Sequence, residues 1–245
     1  STDLLAPALQ QTSHCYLAGI VTGTPSKAET WKAKYGIPEN NIYNYGNFDS
    51  IKDNPDIDVV YVVLPPSMHR EYVERAAKAK KQVWCEKPMA VTAAECQAMI
   101  DACKANGVGL SIGYRCQHEP NTQRIMQFAK QKPYGDIKTI IAEAGYNGTG
   151  ASYSWRADPA LGGGAMYDMG VYPLNAARYT AVEEPISVTA TMNSTTEVYK
   201  NVDETTRFEL EFASGARAVC ATSYAQSMNQ LRAECAKGWY ELKPF

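Results

Sequence analysis

Six consecutive apolar residues, Val59 to Leu64 (VVYVVL), constrain the fold of this chain more than any other segment. The run is continuous and rich in β-branched side chains, which is typical of a strand buried on both faces of a parallel sheet. Pro65 and Pro66 end the run. Shorter apolar runs alternate with amphipathic stretches on either side of it, and this alternation predicts βαβ units.

The first half of the chain is therefore predicted to be a Rossmann-type parallel sheet. Pro25 suits the first turn of a helix, and Thr92 with Glu95 three residues later predicts a capping box. The predicted strands are 17–21, 59–64, 82–85 and 108–112, and the predicted helices are 25–35, 66–80 and 92–106.

The second half changes character, because strands follow one another with few helices between them. The predicted strands are 137–146, 186–193, 205–212, 217–224 and 231–242, with one helix over 165–179. Ala213-Ser214-Gly215 predicts a tight hairpin. The predicted fold class is α/β plus α+β: a dinucleotide-binding domain over residues 1–115, then a substrate and oligomerisation domain with an open, mostly antiparallel sheet over residues 116–245.

The beginning of the chain does not match the strand order of a nucleotide-binding sheet, in which the first strand is central. The first predicted strand is preceded only by residues 1–13, which start Ser-Thr-Asp and read as an amphipathic helix. We therefore expect the central strand and its glycine-rich turn to precede Ser1. The sequence also stops just after a predicted strand, which leaves open whether further residues follow Phe245 in the full-length protein.

Composition narrows the choice of partners. A net charge of −2 and a pI near 6.0 give no general attraction to nucleic acid, and no apolar run is long enough to span a membrane. The seven cysteines are scattered singly and the three histidines are dispersed, so we expect no metal site. We predict a small-molecule substrate, with the compartment left open between cytoplasm and periplasm.

The strongest chemical signal is Glu86-Lys87-Pro88, which follows the predicted strand 82–85. Ligands of open α/β sheets bind beyond the carboxyl ends of the strands. A lysine there can donate to a substrate hydroxyl or carbonyl, Glu86 can balance its charge or hold the nicotinamide side, and Pro88 fixes the backbone. The alternative is a solvated Glu–Lys pair in a loop.

A second signal lies around Gly162-Gly163-Gly164, because glycines let a backbone approach a ligand closely. Asp168 and Tyr172 are four residues apart, so they are predicted to share one face of the helix 165–179. A carboxylate and a phenol together can bind a polyol and transfer a proton, with Lys87 as the cation that a tyrosine base needs. The alternative is an ordinary helix start with a buried tyrosine.

The segment after the first predicted strand contains Thr22, Gly23, Thr24 and Lys27 but no acid. An NAD-binding fold places an acid here to accept the ribose 2′-hydroxyl. Hydroxyls and a lysine at a helix start instead favour a phosphate. The sequence therefore predicts NADP as the cofactor, with NAD as the alternative.

Two further segments are predicted to line the site. The turn that contains Leu64, Pro65 and His69 follows the buried strand and is predicted to wall the cofactor pocket, unless His69 only caps its helix. Trp155 and Arg156 precede the three glycines, and an indole and a guanidinium suit stacking on a sugar and hydrogen bonding to it. Simple packing is the alternative for the indole.

In combination these segments resemble the Gfo/Idh/MocA oxidoreductase family, and within it the glucose-fructose oxidoreductase subgroup. The resemblance covers nearly the whole chain and rests on LPPSMH (64–69), CEKPMA (85–90), IGYRC (112–116), WR (155–156) and GGGAMYDMGVYPLNAARY (162–179). It implies a Rossmann domain followed by an α+β domain, a sugar substrate, and a homo-oligomer built through the sheet of the second domain.

The resemblance also implies roles for residues. Lys87 would contact the reacting sugar hydroxyl and the nicotinamide ribose, Asp168 would contact the substrate, and Tyr172 would be the acid/base. Arg115 and the Trp155-Arg156 segment would lie near the cofactor or the sugar. The implied reaction moves hydride between C1 of an aldose and a tightly held NADP, with a second sugar as the next acceptor.

Other readings stay open. The G-x-G-x-x-[GA] turn of the family does not occur in residues 1–245, which leaves cofactor affinity and assembly in question. Members of the same superfamily cleave glycosides or eliminate water by transient oxidation, and others bind a dinucleotide only as a sensor. Fold alone does not decide between these functions. A sensor, however, needs neither Lys87 nor Tyr172.

Overall fold

The computed structural model describes residues 4–148 and 154–245, which form two compact units. The first unit comprises Ser1–Leu64 and Met68–Gly113, and the second comprises Pro65–Ser67 and Tyr114–Phe245. No helix within the described ranges is long and apolar enough to cross a bilayer.

The first unit alternates strands with helices. Its elements are α1 (Leu5–Leu9), β1 (Ile20–Val21), α2 (Pro25–Tyr35), β2 (Ile42–Tyr43), β3 (Val59–Val62), α3 (Pro66–Lys78), β4 (Gln82–Glu86), α4 (Ala93–Asn106) and β5 (Leu110–Gly113). Strands β3, β4 and β5 form one parallel sheet, and β1 pairs in parallel with β2. Strands β1 and β3 do not pair with each other, so each has a partner on one side only within the part of the chain that is described.

Sequence signals at the helix starts predicted α2 and α4 of this unit correctly. Helix α2 begins with Pro25 in its first turn, and α4 begins with the predicted capping box between Thr92 and Glu95. The buried run of β3 packs against α3 and α4 through one apolar cluster, which includes Val62, Val73 and Met99. The prediction that this strand is buried on both faces was wrong: Val60 and Val62 are buried, whereas Val59 and Tyr61 are only half-buried and Val63 is 40% exposed.

The second unit is built on a six-stranded sheet. Its elements are α5 (Pro120–Gln131), β6 (Ile137–Gly145), α6 (Ala165–Asp168), α7 (Val171–Ala181), β7 (Pro185–Asn193), β8 (Thr205–Phe212), β9 (Arg217–Ser223), β10 (Met228–Cys235) and β11 (Gly238–Leu242). The strand order is β11-β10-β6-β9-β8-β7, and every pair except β6–β9 is antiparallel. The predicted fold class is confirmed.

One face of this sheet is covered by α5 and α7, whereas side chains on the other face, such as Val188, Val219 and Trp239, are largely exposed. Strand β8 shows the alternation plainly: Phe208, Leu210 and Phe212 are buried, whereas Arg207 and Glu209 between them are exposed. This period of two is what a half-covered antiparallel sheet requires.

Three predictions about this unit were wrong or incomplete. The helix predicted over 165–179 is broken into α6 and α7, because a proline inside a helix clashes with the carbonyl four residues back, and Pro173 would clash with Met169. The strand predicted over 231–242 is a hairpin, β10–β11, whose turn is tied by Ala236 N and Lys237 N to the carbonyls of Asp136 and Tyr134. Helix α5 was missed, as was β2 in the first unit.

Candidate active site

In the first unit, the loop that carries Lys87 begins where β4 ends, beside the ends of β3 and β5. The hydroxyl of Tyr61 on β3 donates to Glu86 Oε1 at 2.5 Å, and Glu86 Oε2 accepts from the backbone N–H of Lys87 at 3.2 Å. Both oxygens of Glu86 are thus used to hold the loop. Tyr61 is in turn packed edge-on against Trp84, with ring centroids 6.0 Å apart.

Gly113 at the end of β5 makes room for this contact. A Cβ atom at position 113 would lie 2.7 Å from the hydroxyl oxygen of Tyr61 and 3.5 Å from Glu86 Oε1. Any larger residue would therefore displace the Tyr61–Glu86 pair. Tyr61 was not among the predicted site residues, although a tyrosine in an otherwise aliphatic strand is a visible signal.

His69 joins two loops of the first unit. Its Nε2 lies 2.9 Å from the carbonyl oxygen of Leu64, and its Nδ1 lies 3.0 Å and 3.2 Å from the carbonyls of Pro88 and Met89. The side chain is 1% exposed. His69 therefore links the end of β3 to the loop after Lys87, because both of its ring nitrogens face carbonyls; its role as a cofactor contact stays a prediction.

The end of β1 provides the segment predicted to receive the extra phosphate of NADP. Thr22 is buried and its hydroxyl accepts from Thr24 N at 3.2 Å, while Gly23, Thr24 and Lys27 are exposed at the start of α2. A Cβ atom at Gly23 would lie 3.0 Å from Cε2 of Tyr45, so this half-exposed ring packs on the glycine. Tyr45 was missed because it is 22 residues away in sequence.

In the second unit, Asp168 is the centre of a buried polar cluster. Its Oδ2 accepts from Arg156 Nε at 2.7 Å and from the Tyr224 hydroxyl at 3.2 Å, and its side chain is only 5% exposed. The guanidinium of Arg156 also stacks on Trp155, with Cζ 4.5 Å from the ring centroid. A charge-assisted bond of this kind fixes the carboxylate in one orientation.

Three tyrosine rings surround this cluster, and the hydroxyl of Tyr224 donates to it. The ring of Tyr224 lies 4.9 Å from that of Tyr199 and 5.4 Å from that of Tyr146. Burial, and then the charge of Asp168, hold the pKa of Tyr224 well above its usual value, and burial raises the pKa of Tyr146 to about 12. Both phenols therefore keep their protons at ordinary pH. Tyr224 lies in the connection between β9 and β10, 56 residues after Asp168. At this separation, sequence spacing could not reveal the contact between the two residues.

The Tyr172 ring lies beside two side chains from the start of the second unit. Its centroid is 5.6 Å from that of Tyr114 and 5.6 Å from Arg115 Cζ. Met169 and Gly170 separate α6 from α7, and both residues keep right-handed helical backbone angles. That Asp168 and Tyr172 share one helix face stays a prediction. The Arg115 guanidinium places a positive charge next to the Tyr172 phenol.

The other predicted residues are placed as follows. Leu64 and Pro65 are half-buried at the turn after β3, Trp155 and Arg156 lie in a short 3-10 turn, and Lys87 is half-buried in its loop. We also expect the loop 147–160 to contribute to the shape of the sugar pocket; its residues 149–153 lie outside the described ranges.

Two family profiles match the chain. Residues 1–114 match one described as "Oxidoreductase family, NAD-binding Rossmann fold", and residues 122–241 match one described as "GFO/IDH/MocA C-terminal domain". Each profile covers one of the two kinds of sheet described above, in the same order along the chain.

Individual relatives are similar along almost the whole chain. An aldose-aldose oxidoreductase from Caulobacter crescentus, solved with glycerol, is 42% identical, with a TM-score of 0.93 over 98% of this chain and 72% of its own. The D-xylose 1-dehydrogenase [NADP(+)] of Haloarcula marismortui is 31% identical over 91% of this chain. A trans-1,2-dihydrobenzene-1,2-diol dehydrogenase of Xenopus laevis is 31% identical over 89%. The chain spans 63% and 64% of the lengths of these last two relatives.

Proposed function

The chain belongs to the Gfo/Idh/MocA oxidoreductase family, and from this we propose that the protein is an NADP-dependent oxidoreductase that acts on a CH–OH group of an aldose. The observation that carries the proposal is 42% identity to an aldose-aldose oxidoreductase over 98% of the chain. The presence of both Lys87 and Tyr172 favours an enzyme over a dinucleotide sensor, since a sensor has no need of a donor and an acid/base.

The residues at the start of α2 fit the adenosine end of NADP. Thr24 and Lys27 are exposed there, no carboxylate stands between Val21 and Lys27, and the Tyr45 ring lies beside Gly23. In our proposal Lys27 binds the 2′-phosphate and Tyr45 offers an apolar surface to the adenine. The name of the Haloarcula relative, which specifies NADP, supports this choice over NAD.

When bound, the nicotinamide accepts a hydride from a carbon that bears a hydroxyl. The residues of the chain have the remaining tasks. We assign to Lys87 Nζ the hydrogen bond to the reacting oxygen, and to Tyr172 Oη the proton of that hydroxyl, with Arg115 as a positive charge beside the ring. Glu86 and Tyr61 hold the Lys87 loop in place.

A polyol suits the cluster in the second unit. The Asp168 carboxylate is oriented by Arg156 and Tyr224, and the indole of Trp155 lies under the same guanidinium. Carboxylates and indoles are common partners of sugar hydroxyls and sugar rings. We propose that the substrates are aldoses and that the hydride then passes to a second sugar.

We also propose that like subunits associate through the face of the six-stranded sheet that α5 and α7 do not cover.

The test is made on the full-length protein, purified without added cofactor. We expect an absorbance band near 340 nm, the mark of reduced nicotinamide, to appear with an aldose and to fade when a second sugar is added. Reduction of added NADP without such a cycle would limit the activity to that of an ordinary dehydrogenase. No reaction with any sugar would refute the proposal, and turnover of aryl glycosides would then favour the glycoside-cleaving alternative.

The cofactor assignment makes its own prediction. Replacing Lys27 by glutamate should weaken NADP binding about 10- to 100-fold, because one charge-assisted bond to a phosphate is lost and a repulsion is added. The affinity for NAD should change little. Lys34→Glu, in the last turn of the same helix, is the matched control. Equal losses for the two nucleotides, measured by fluorescence titration, would contradict the assignment.

A further inference from the structure

The connection between β7 and β8 contains an acid, Asp203, that no motif singled out. Its backbone carbonyl accepts from Ala165 N at 2.9 Å. Its side-chain Oδ2 accepts from Met166 N at 2.7 Å and from the Thr206 hydroxyl at 2.6 Å. Asp203 therefore satisfies two backbone donors in the first turn of α6, the short helix that ends at Asp168.

The glycine before α6 fits against the same carboxylate. Gly164 has a φ of +113°, a backbone conformation that L side chains rarely adopt, and a Cβ atom there would lie 2.2 Å from Asp203 Oδ1. The Gly164 carbonyl in turn accepts from the Tyr224 hydroxyl at 3.0 Å. Oδ2 of Asp203 thus contacts helix α6, and Oδ1 lies beside Gly164.

Helix α6 needs such support because it has only four residues. A helix of one turn does not persist without tertiary contacts, since the cost of ordering it exceeds the gain from its few hydrogen bonds. At its other end, Asp168 depends on α6 for the position of its backbone while Arg156 and Tyr224 fix its carboxylate.

We propose that Asp203 is a positioning residue for the reaction: by holding Ala165 and Met166 it sets the position of the Asp168 carboxylate toward the sugar. The proposal rests on the assignment of Asp168 to the substrate site. It adds a residue 35 positions further along the chain, whose side chain contacts Met166 and Thr206. Its effect on the reaction passes entirely through α6.

The chemistry of the contact indicates which substitution should be tolerated. Met166 N and the Thr206 hydroxyl need an acceptor, and an amide oxygen can serve both. Burial raises the pKa of the Asp203 carboxyl, so the negative charge itself is not what the site favours. Asp203→Asn should therefore keep the side-chain contact with α6, whereas Asp203→Ala removes it and leaves only the backbone bond from Ala165 N.

The experiment compares these two variants with Glu204→Gln in the full-length enzyme. Glu204 is the next residue, is 1% exposed, and bonds to Thr195 and Thr196 rather than to α6. Two quantities are measured: hydrogen exchange of the peptide spanning 162–169, and kcat and KM for the aldose. In Asp203→Ala we expect exchange to accelerate at least about tenfold and kcat/KM to fall about 10- to 100-fold.

The controls separate positioning from simple loss of stability. Asp203→Asn should stay within about threefold of wild type in both quantities. Glu204→Gln should lower the melting temperature without selective exchange at 162–169. Unchanged exchange in Asp203→Ala, or the same local acceleration in Glu204→Gln, would overturn the proposal, as would full kinetic competence of Asp203→Ala. If wild type oxidises no sugar, the proposed function fails, and the exchange comparison alone still decides whether Asp203 holds α6.

Discussion

Replacement of Lys87 by methionine is expected to lower kcat about 10²- to 10⁴-fold, the range in which a positioned proton donor contributes to catalysis. The methionine keeps most of the apolar stem and removes only the ammonium group. The NADP dissociation constant should change far less than kcat, because the phosphate contacts are assigned to the start of α2. Steady-state kinetics with an aldose, together with a nucleotide titration, would measure both.

The variant should fold, because two bonds that hold the loop do not involve the ammonium group. The backbone N–H of residue 87 still reaches Glu86, and Tyr61 still holds the other carboxylate oxygen. Lys78→Met, at an exposed position in the last turn of α3, is the control for loss of a charge. Wild-type turnover in Lys87→Met would remove this residue from the chemistry.

A second large effect is expected from Asp168→Ala, on stability as well as on activity. The substitution leaves the Arg156 guanidinium without its carboxylate and takes away one partner of the Tyr224 hydroxyl. Breaking a buried ion pair in this way costs about 3 to 5 kcal/mol, and because the Arg156 side chain is 35% exposed we expect the lower end of that range. Turnover of the aldose should fall at least about 100-fold with the loss of a substrate contact.

The matched control is Asp136→Ala, which breaks the ion pair with Lys132 on the surface of the same unit. Both partners are more than half exposed, so the free energy of unfolding should change by less than about 1 kcal/mol. Urea denaturation of the two variants gives the comparison. Similar losses of unfolding free energy in both variants would mean that the Arg156–Asp168 pair stabilises the protein no more than a surface ion pair does.

The fold could be predicted largely because its signals are local. The apolar run of β3, the proline that opens α2 and the capping box of α4 each act within a few residues, and each was placed correctly. The break between α6 and α7 also has a local signal, Pro173, from which it could have been predicted. The hairpin β10–β11 was not predictable in this way, because contacts with Tyr134 and Asp136 hold its turn.

The candidate site was predictable only in part, for a related reason. Sequence patterns identified Lys87, Asp168 and Arg156 as chemically unusual, but they could not reveal what holds them. Tyr61 is 25 residues from Glu86 and Tyr224 is 56 residues from Asp168, so each pair exists only after the sheets have formed. Supporting side chains of this kind are found from tertiary structure.

The tie made by His69 has a practical consequence for anyone who wishes to redesign this protein. One imidazole ring spans the carbonyl of Leu64 and the carbonyls of Pro88 and Met89, so the two loops cannot be diversified independently. A library that varies either loop should keep the histidine fixed and screen both loops together. Substrate range is then more safely altered from the Trp155–Arg156 segment, which belongs to the second unit.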